Sequence, residues 1–143
     1  MTLLRSECQA ALAELHGRGE ELLVRYESAA RMEGLPDRLR AVLQELVAER
    51  RPLLDALAEL ERAHEDLPKA GDQERAWVQA LTDRFRGTFG DAGDLAERLR
   101  VSDREWLERV EEAQKLDWPD KEAAIIEQLA RHLRKALQAL AFF

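Results

Sequence analysis

The side chains best suited to chemistry in this sequence are three histidines, one cysteine and the carboxylates spaced around them. One Glu-x-x-His pair occurs, Glu61-Arg62-Ala63-His64. That spacing sets both side chains on one helix face, and a dinuclear metal centre inside a helix bundle needs two such pairs plus a Glu from each of two further helices. The set is incomplete. Glu127 and His132 lie five apart and point about 140° away from each other on a helix. His16 finds no carboxylate at useful spacing in the other helices. Glu61 and His64 are therefore weak metal candidates, placed at a helix end whose negative pole suits a histidine. No metal and no cofactor is expected. Cys8 has no His or second Cys near it and falls on an apolar stripe, which reads as a small buried hydrophobe. No nucleophile–base pair, glycine-rich phosphate loop or zinc spacing is present, which points away from an enzyme.

Arg50 is the polar residue that most needs explaining. It occupies a seam otherwise made of leucines, and a charge there requires a partner or a route to water. Inward candidates are Tyr26, Glu27, Ser102 and Asp103. The expectation is a structural polar seam of Arg50, Tyr26, Glu27 and Asp103, with a buried Arg–carboxylate pair fixing helix register. Exposure through a kink at Pro52 and a ligand-binding role are the alternatives.

The elements that position these residues follow from apolar periodicity. A first long helix spans about 3–32, with Cys8, Leu12, Leu15, Gly19, Leu22, Tyr26 and Ala29 recurring in steps of four and three, the repeat that keeps one stripe on a partner helix. Gly17 and Gly19 each cost about 1 kcal/mol in a helix interior relative to Ala, so either the helix kinks or a neighbouring backbone approaches closely. Gly34 ends it. A second helix spans about 36–65, with Pro36 and Asp37 suited to its first turn and a seam of Leu39, Leu43, Leu46, Arg50, Leu53, Leu57 and Leu60. A loop at 66–72 precedes a short helix, about 73–89, carrying Trp77, Leu81 and Phe85. A third long helix spans about 91–116, with Leu95, Leu99, Ser102, Trp106, Val110 and Ala113 inward; Ser102-Asp103-Arg104-Glu105 matches a capping box and marks a possible break. The last helix spans about 118–143, with Asp117 as expected N-cap and Ile126, Leu129, Leu133, Ala136, Leu140 and Phe143 as its seam. Trp77, Trp106 and Trp118 suit packing better than an aromatic cage.

Lengths then constrain topology. The long helices reach about 40 Å at 1.5 Å per residue. Two connections are short enough to force antiparallel neighbours, whereas the stretch between the hairpins can travel the length of the bundle. The predicted fold is all-α: one domain, 1–143, forming a four-helix antiparallel bundle with a short extra helix in the long crossover. The second and third long helices then run parallel, which is ferritin-like connectivity.

Tyr26-Glu27-Ser28-Ala29-Ala30 and Leu46-Val47-Ala48-Glu49-Arg50 resemble the aromatic-Glu-x-Ala-Ala and Leu-x-x-Glu-Arg signatures of a bacterial ferritin-like four-helix-bundle family, known as a domain of unknown function. The resemblance runs from about Ala11 to Leu140. It implies a ferritin-like bundle and a bacterial source, and no established activity. Where it would place a Glu and a Tyr on the third long helix, this chain has Asp103 and Val110.

Charge and composition set the remaining limits. The chain has 143 residues, 45% of them hydrophobic and 36% charged, and a net charge of −7, so it is acidic and repels phosphate backbones. The most basic stretch, Arg131 to Lys135, reads as a solvated helix flank. No nucleic-acid partner and no membrane are expected. One cysteine and no visible signal peptide suit a cytoplasmic setting. These features favour a non-catalytic bundle acting through a protein partner or self-association, for instance as a homodimer. A ferritin-like metal-binding protein or oxidase and a cytosolic secretion or assembly chaperone are the alternatives.

Overall fold

A computed structural model describes residues 2–64 and 91–143, with side chains over 7–63 and 91–143. The expected short helix at 73–89 and the loop before it lie outside the described residues. The described chain forms α1 (Thr2–Ala30), α2 (Asp37–His64), α3 (Ala92–Gln114) and α4 (Asp120–Leu140), with no strand among them.

The helices pack in a ring in which α1 touches α2 and α3, and α4 touches the same two. Cross-helix pairs give the directions. His16 meets Glu61 and Glu27 meets Arg51, so α1 and α2 are antiparallel. Glu14 meets Arg109 and Arg18 meets Glu105, so α1 and α3 are antiparallel. Gln114 meets Glu127 and Glu111 meets Arg134, so α3 and α4 are antiparallel as well. It follows that α2 and α3 run parallel on a diagonal, and α2 ends at the opposite end of the bundle from where α3 begins. The predicted all-helical four-helix bundle is what the chain forms.

Both tight corners are held by side chains. Gly34 adopts a left-handed φ of 79° between α1 and α2, a conformation that costs a side-chain-bearing residue roughly 1–2 kcal/mol. Arg40 reaches back from α2 to the end of α1 and the turn after it, donating from Nη1 to Ala30 O and from Nη2 to Met32 O, the latter at 2.9 Å. At the other corner the buried Trp118 donates its indole N–H to Ala113 O at 2.6 Å. The Arg40 bond to Ala30 O meets a carbonyl at the end of α1, of the kind a helix leaves without an internal partner, whereas Ala113 O also accepts from Leu116 N at 3.0 Å. Gly34→Ala is expected to lower stability by about 1 kcal/mol, read as a lower urea midpoint at unchanged slope.

The sequence boundaries and seams need specific corrections. The first helix stops at Ala30, and the last begins at Asp120 without a side-chain N-cap, so Asp117 does not serve as one. The capping-box match at Ser102 is no break, because α3 continues through it; its true N-cap is Asp91, whose side chain accepts from Asp94 N at 2.7 Å. Past Arg50 the seam of α2 passes through Leu54, not Leu53, and on α3 it passes through Asp103, not Ser102. Steps of four from Leu46 to Arg50 to Leu54, and from Leu95 to Leu99 to Asp103, keep these side chains inward. Gly19 is buried and α1 runs through it unbroken; a Cβ there would meet Leu54 Cδ2 at 2.3 Å. Neither a kink nor a neighbouring backbone accounts for it: the side chains of Leu54 and Trp106 occupy the space a Cβ would need.

Two apolar clusters share the interior. One gathers Leu12, Leu15, Leu54, Leu57, Trp106 and Val110, the other Ala29, Leu39, Leu43, Leu46, Leu99 and Leu140. Arg50 falls between Leu46 and Leu54, and Asp103 between Leu99 and Trp106, so both sit where the two clusters meet.

Candidate functional site

Where the clusters meet, each helix supplies one polar side chain: Tyr26 from α1, Arg50 from α2, Asp103 from α3 and His132 from α4. Arg50 and Asp103 are 0% exposed, Tyr26 1% and His132 6%. Arg50 grips the carboxylate with both arms of its fork, Nη1 to Oδ1 at 3.1 Å and Nη2 to Oδ2 at 2.8 Å. Tyr26 donates its hydroxyl proton to Asp103 Oδ2. Arg50 Nε donates to His132 Nε2 at 2.9 Å. The guanidinium carbon stands 4.3 Å from the Tyr26 ring centre and 5.3 Å from that of Trp106, within reach for cation–π attraction. A planar fork suits this setting, since it binds a carboxylate bidentately and stacks on rings at once.

The electrostatics follow from the geometry. Burial pushes the Arg50 pKa down, but the Asp103 carboxylate and Tyr26 more than offset it, and the guanidinium stays firmly charged. Burial and the Asp103 charge push the Tyr26 hydroxyl well above its ordinary value, so it remains a donor. Because an arginine Nε–H can only donate, His132 Nε2 must accept. Neutral His132 therefore carries its proton on Nδ1, which faces Glu49 Oε2 at 3.5 Å, too far for a good hydrogen bond. Burial, then the Arg50 charge, lowers the His132 pKa to about 4. Glu49 in turn pairs with Lys135 at the surface.

A sign follows for stability. Unfolded, His132 binds a proton near pH 6.5; folded, it resists doing so until about pH 4. Its contribution is complete above about pH 6.5 and is lost as pH falls toward 4, on the order of 3 kcal/mol in all. His132→Gln, which keeps an acceptor and cannot titrate, is expected to flatten that part of the stability–pH curve measured by urea unfolding.

The sequence expectations divide accordingly. Arg50, Tyr26 and Asp103 are brought together. Glu27 is not among them: it pairs with Arg51 Nη2 at 3.0 Å near the surface. Ser102 sits beside the seam and accepts from Arg25 Nη1 at 3.4 Å. His132 is the member the sequence reading missed. It was placed on a solvated flank, and Arg131, Arg134 and Lys135 are indeed exposed, but His132 itself is buried. The signal was available, since His132 lies three residues after Leu129 and four before Ala136, on the edge of the same stripe.

The weak metal candidates are separated from this cluster. Glu61 is 2% exposed and binds His16 Nδ1 at 2.9 Å, while His16 Nε2 faces Glu20 at 3.3 Å. His16 thus does have a carboxylate partner, across the α1–α2 hairpin. The two carboxylates lie at opposite nitrogens of one ring, so they do not converge on a point where an ion could take all three. The side chain of His64 lies outside the described residues. Among the described residues no group of three or more His, Cys, Asp or Glu could hold a metal ion. Cys8 is buried, with its thiol pKa raised by burial and by Glu122, Glu7 and Asp117, the reverse of an activated nucleophile. Among the described residues no helix is long and apolar enough to cross a membrane.

Chemically, the four-helix cluster can hold charge and fix geometry. Its groups are almost wholly buried and bond chiefly to one another, with His132 Nδ1 left without a hydrogen-bond partner. No family model, curated protein or solved structure matches the chain.

Proposed function

We propose that this chain is a non-catalytic helical-bundle protein that works through contacts with a protein partner or a second copy of itself. One observation carries the reading: the interior position where a bundle would hold a cofactor is filled by the protein's own Arg50–Asp103 pair, at zero exposure and bonded on both sides. A bundle whose polar centre is used up in holding its helices together acts through its surface. Phe142, 75% exposed at the end of the chain, is one side chain available for such contact. The parallel course of α2 and α3 and the Arg50 seam also support kinship with the bacterial ferritin-like bundles that the sequence resembles, and the single cysteine supports a cytoplasmic setting.

Light scattering across a wide concentration range, joined to affinity capture from the native host, tests this. A concentration-dependent dimer, or a stoichiometric partner that a Phe142→Ser change weakens, is expected. A monomer at every concentration with nothing captured would contradict it. Stoichiometric iron, manganese or zinc in protein purified without chelators would replace it with the metalloprotein reading. The chaperone alternative needs an exposed apolar groove; among the described residues the large exposed hydrophobics are Val101 and Phe142, which gives it little support.

A further inference from the structure

The four buried polar residues are distributed in a way that packing alone does not require. Tyr26 and Arg50 belong to the α1–α2 hairpin, Asp103 and His132 to the α3–α4 hairpin. The bonds to Asp103 and His132 cross from one hairpin to the other, Tyr26 to Asp103, Arg50 to Asp103 and Arg50 to His132, while Tyr26 and Arg50 also touch within the first hairpin, the guanidinium 4.3 Å from the ring centre. Within each hairpin the fastening is different: Arg40 holds one corner and Trp118 the other, with His16–Glu61 and Glu27–Arg51 along the first hairpin and Gln114–Glu127 and Glu111–Arg134 along the second. The two hairpins thus meet at mid-height in a buried polar clasp, alongside the apolar clusters they share and the surface pairs Glu14–Arg109, Arg18–Glu105 and Glu49–Lys135.

We propose that His132 is the acid-sensitive catch of this clasp, so that its protonation lets the α1–α2 hairpin part from the α3–α4 hairpin while each hairpin stays intact. The geometry dictates the effect. His132 takes part in the clasp only as an acceptor at Nε2. A proton added there replaces the lone pair with an N–H aimed at the Nε–H of Arg50, 2.9 Å away, and sets two cations in contact. The groups facing the ring are Arg50 and Glu49 from α2 and Asp103 from α3, with Tyr26 of α1 behind Asp103. Glu49 cannot rescue the bond, because it faces Nδ1, which carries a proton in the neutral ring already, and it is shared with Lys135 of His132's own helix. Asp103 is already held by the fork of Arg50 and by Tyr26. The strain thus falls on the boundary between the halves, where opening of a contiguous unit needs no break inside either hairpin.

The test uses the full chain with Cys8→Ala and two pairs of spin labels on exposed positions. Ala13→Cys with Glu59→Cys reports within the first hairpin; Ala48→Cys with Gln128→Cys reports across the boundary. Between pH 6.5 and 4 the cross-boundary distance is expected to lengthen and broaden while the within-hairpin distance holds. That change should follow the His132 ring titration seen by NMR in the unlabelled chain. In His132→Gln it should move at least one pH unit lower. Simultaneous loss of both distances, or parting of the His132→Gln chain at the same pH, would overturn the proposal. Should that variant not fold, the comparison of the two label pairs in the parent chain decides by itself.

Discussion

Arg50→Met is expected to destabilise the protein by about 3–5 kcal/mol, because it leaves the Asp103 carboxylate buried at zero exposure without its counter-charge. Asp103→Leu is expected to do the same from the other side, stranding the guanidinium. The double variant, Arg50→Met with Asp103→Leu, should be more stable than either single one. It removes both charges at once, and a buried ion pair replaced by apolar groups of similar volume is often close to neutral. What remains lost is that Tyr26 gives up its acceptor and His132 its donor, each a neutral group left buried without that partner at about 1–3 kcal/mol. Urea unfolding of the four proteins closes the cycle, and the coupling between the two positions should exceed 2 kcal/mol, since they are in direct contact. A coupling near zero would mean that the pair does not form in solution.

Gly19→Ala is the second large effect, and its sign runs against helix propensity. Alanine gains about 1 kcal/mol over glycine in a helix interior. At Gly19, however, the added methyl would stand 2.3 Å from Leu54 Cδ2 and 2.7 and 2.9 Å from two carbons of the Trp106 ring. Leu54 can turn its methyl aside. Trp106 is fully buried and flanks the guanidinium of Arg50, so displacing it disturbs the clasp. Overpacking of this kind typically costs 1–3 kcal/mol, and a net loss of that order is expected, rising further for Gly19→Leu. Gly17 supplies the control. It is exposed and a Cβ there meets nothing within 4 Å, so Gly17→Ala should gain roughly 0.5–1 kcal/mol. Two glycines separated by one residue should thus respond with opposite signs in the same thermal or urea measurement.

Much of this was legible in the residues and their spacing. The four-and-three steps of leucine fix which face of each helix is buried, and short against long connections fix which helices are antiparallel neighbours and which run parallel. Arg50 announces itself because a charge in a leucine seam must be answered by something. What spacing did not settle was the phase at polar positions. Ser102 and Asp103 are adjacent, and a stripe of 3.6-residue period admits either; the structure buries the one that can neutralise Arg50. The shift from Leu53 to Leu54 has a similar origin, since a step of four from Arg50 keeps the leucine against Trp106 and Gly19. Glu27 lost its expected role because Arg51 on the facing helix offers it a partner at the surface, where its charge keeps more of its water. His132 was hidden by its basic neighbours, which set the character of the flank although the histidine itself points inward. The corner held by Arg40 has no local signature at all: a side chain capping the preceding helix from across a turn is a tertiary contact, invisible to periodicity.

The central claim is that a charged arginine is locked between a carboxylate and a neutral imidazole in the closed interior of the bundle. Nitrogen-detected NMR at pH 7 tests it most directly, through scalar coupling transmitted across the hydrogen bond from Arg50 Nε to His132 Nε2. The expected result is a resolved coupling between those two nitrogens, a slowly exchanging Arg50 Nε proton, and a His132 ring protonated at Nδ1 that stays neutral down to about pH 5. An Arg50 Nε proton exchanging at the solvent rate, with His132 titrating near pH 6.5 as an open imidazole does, would contradict the account.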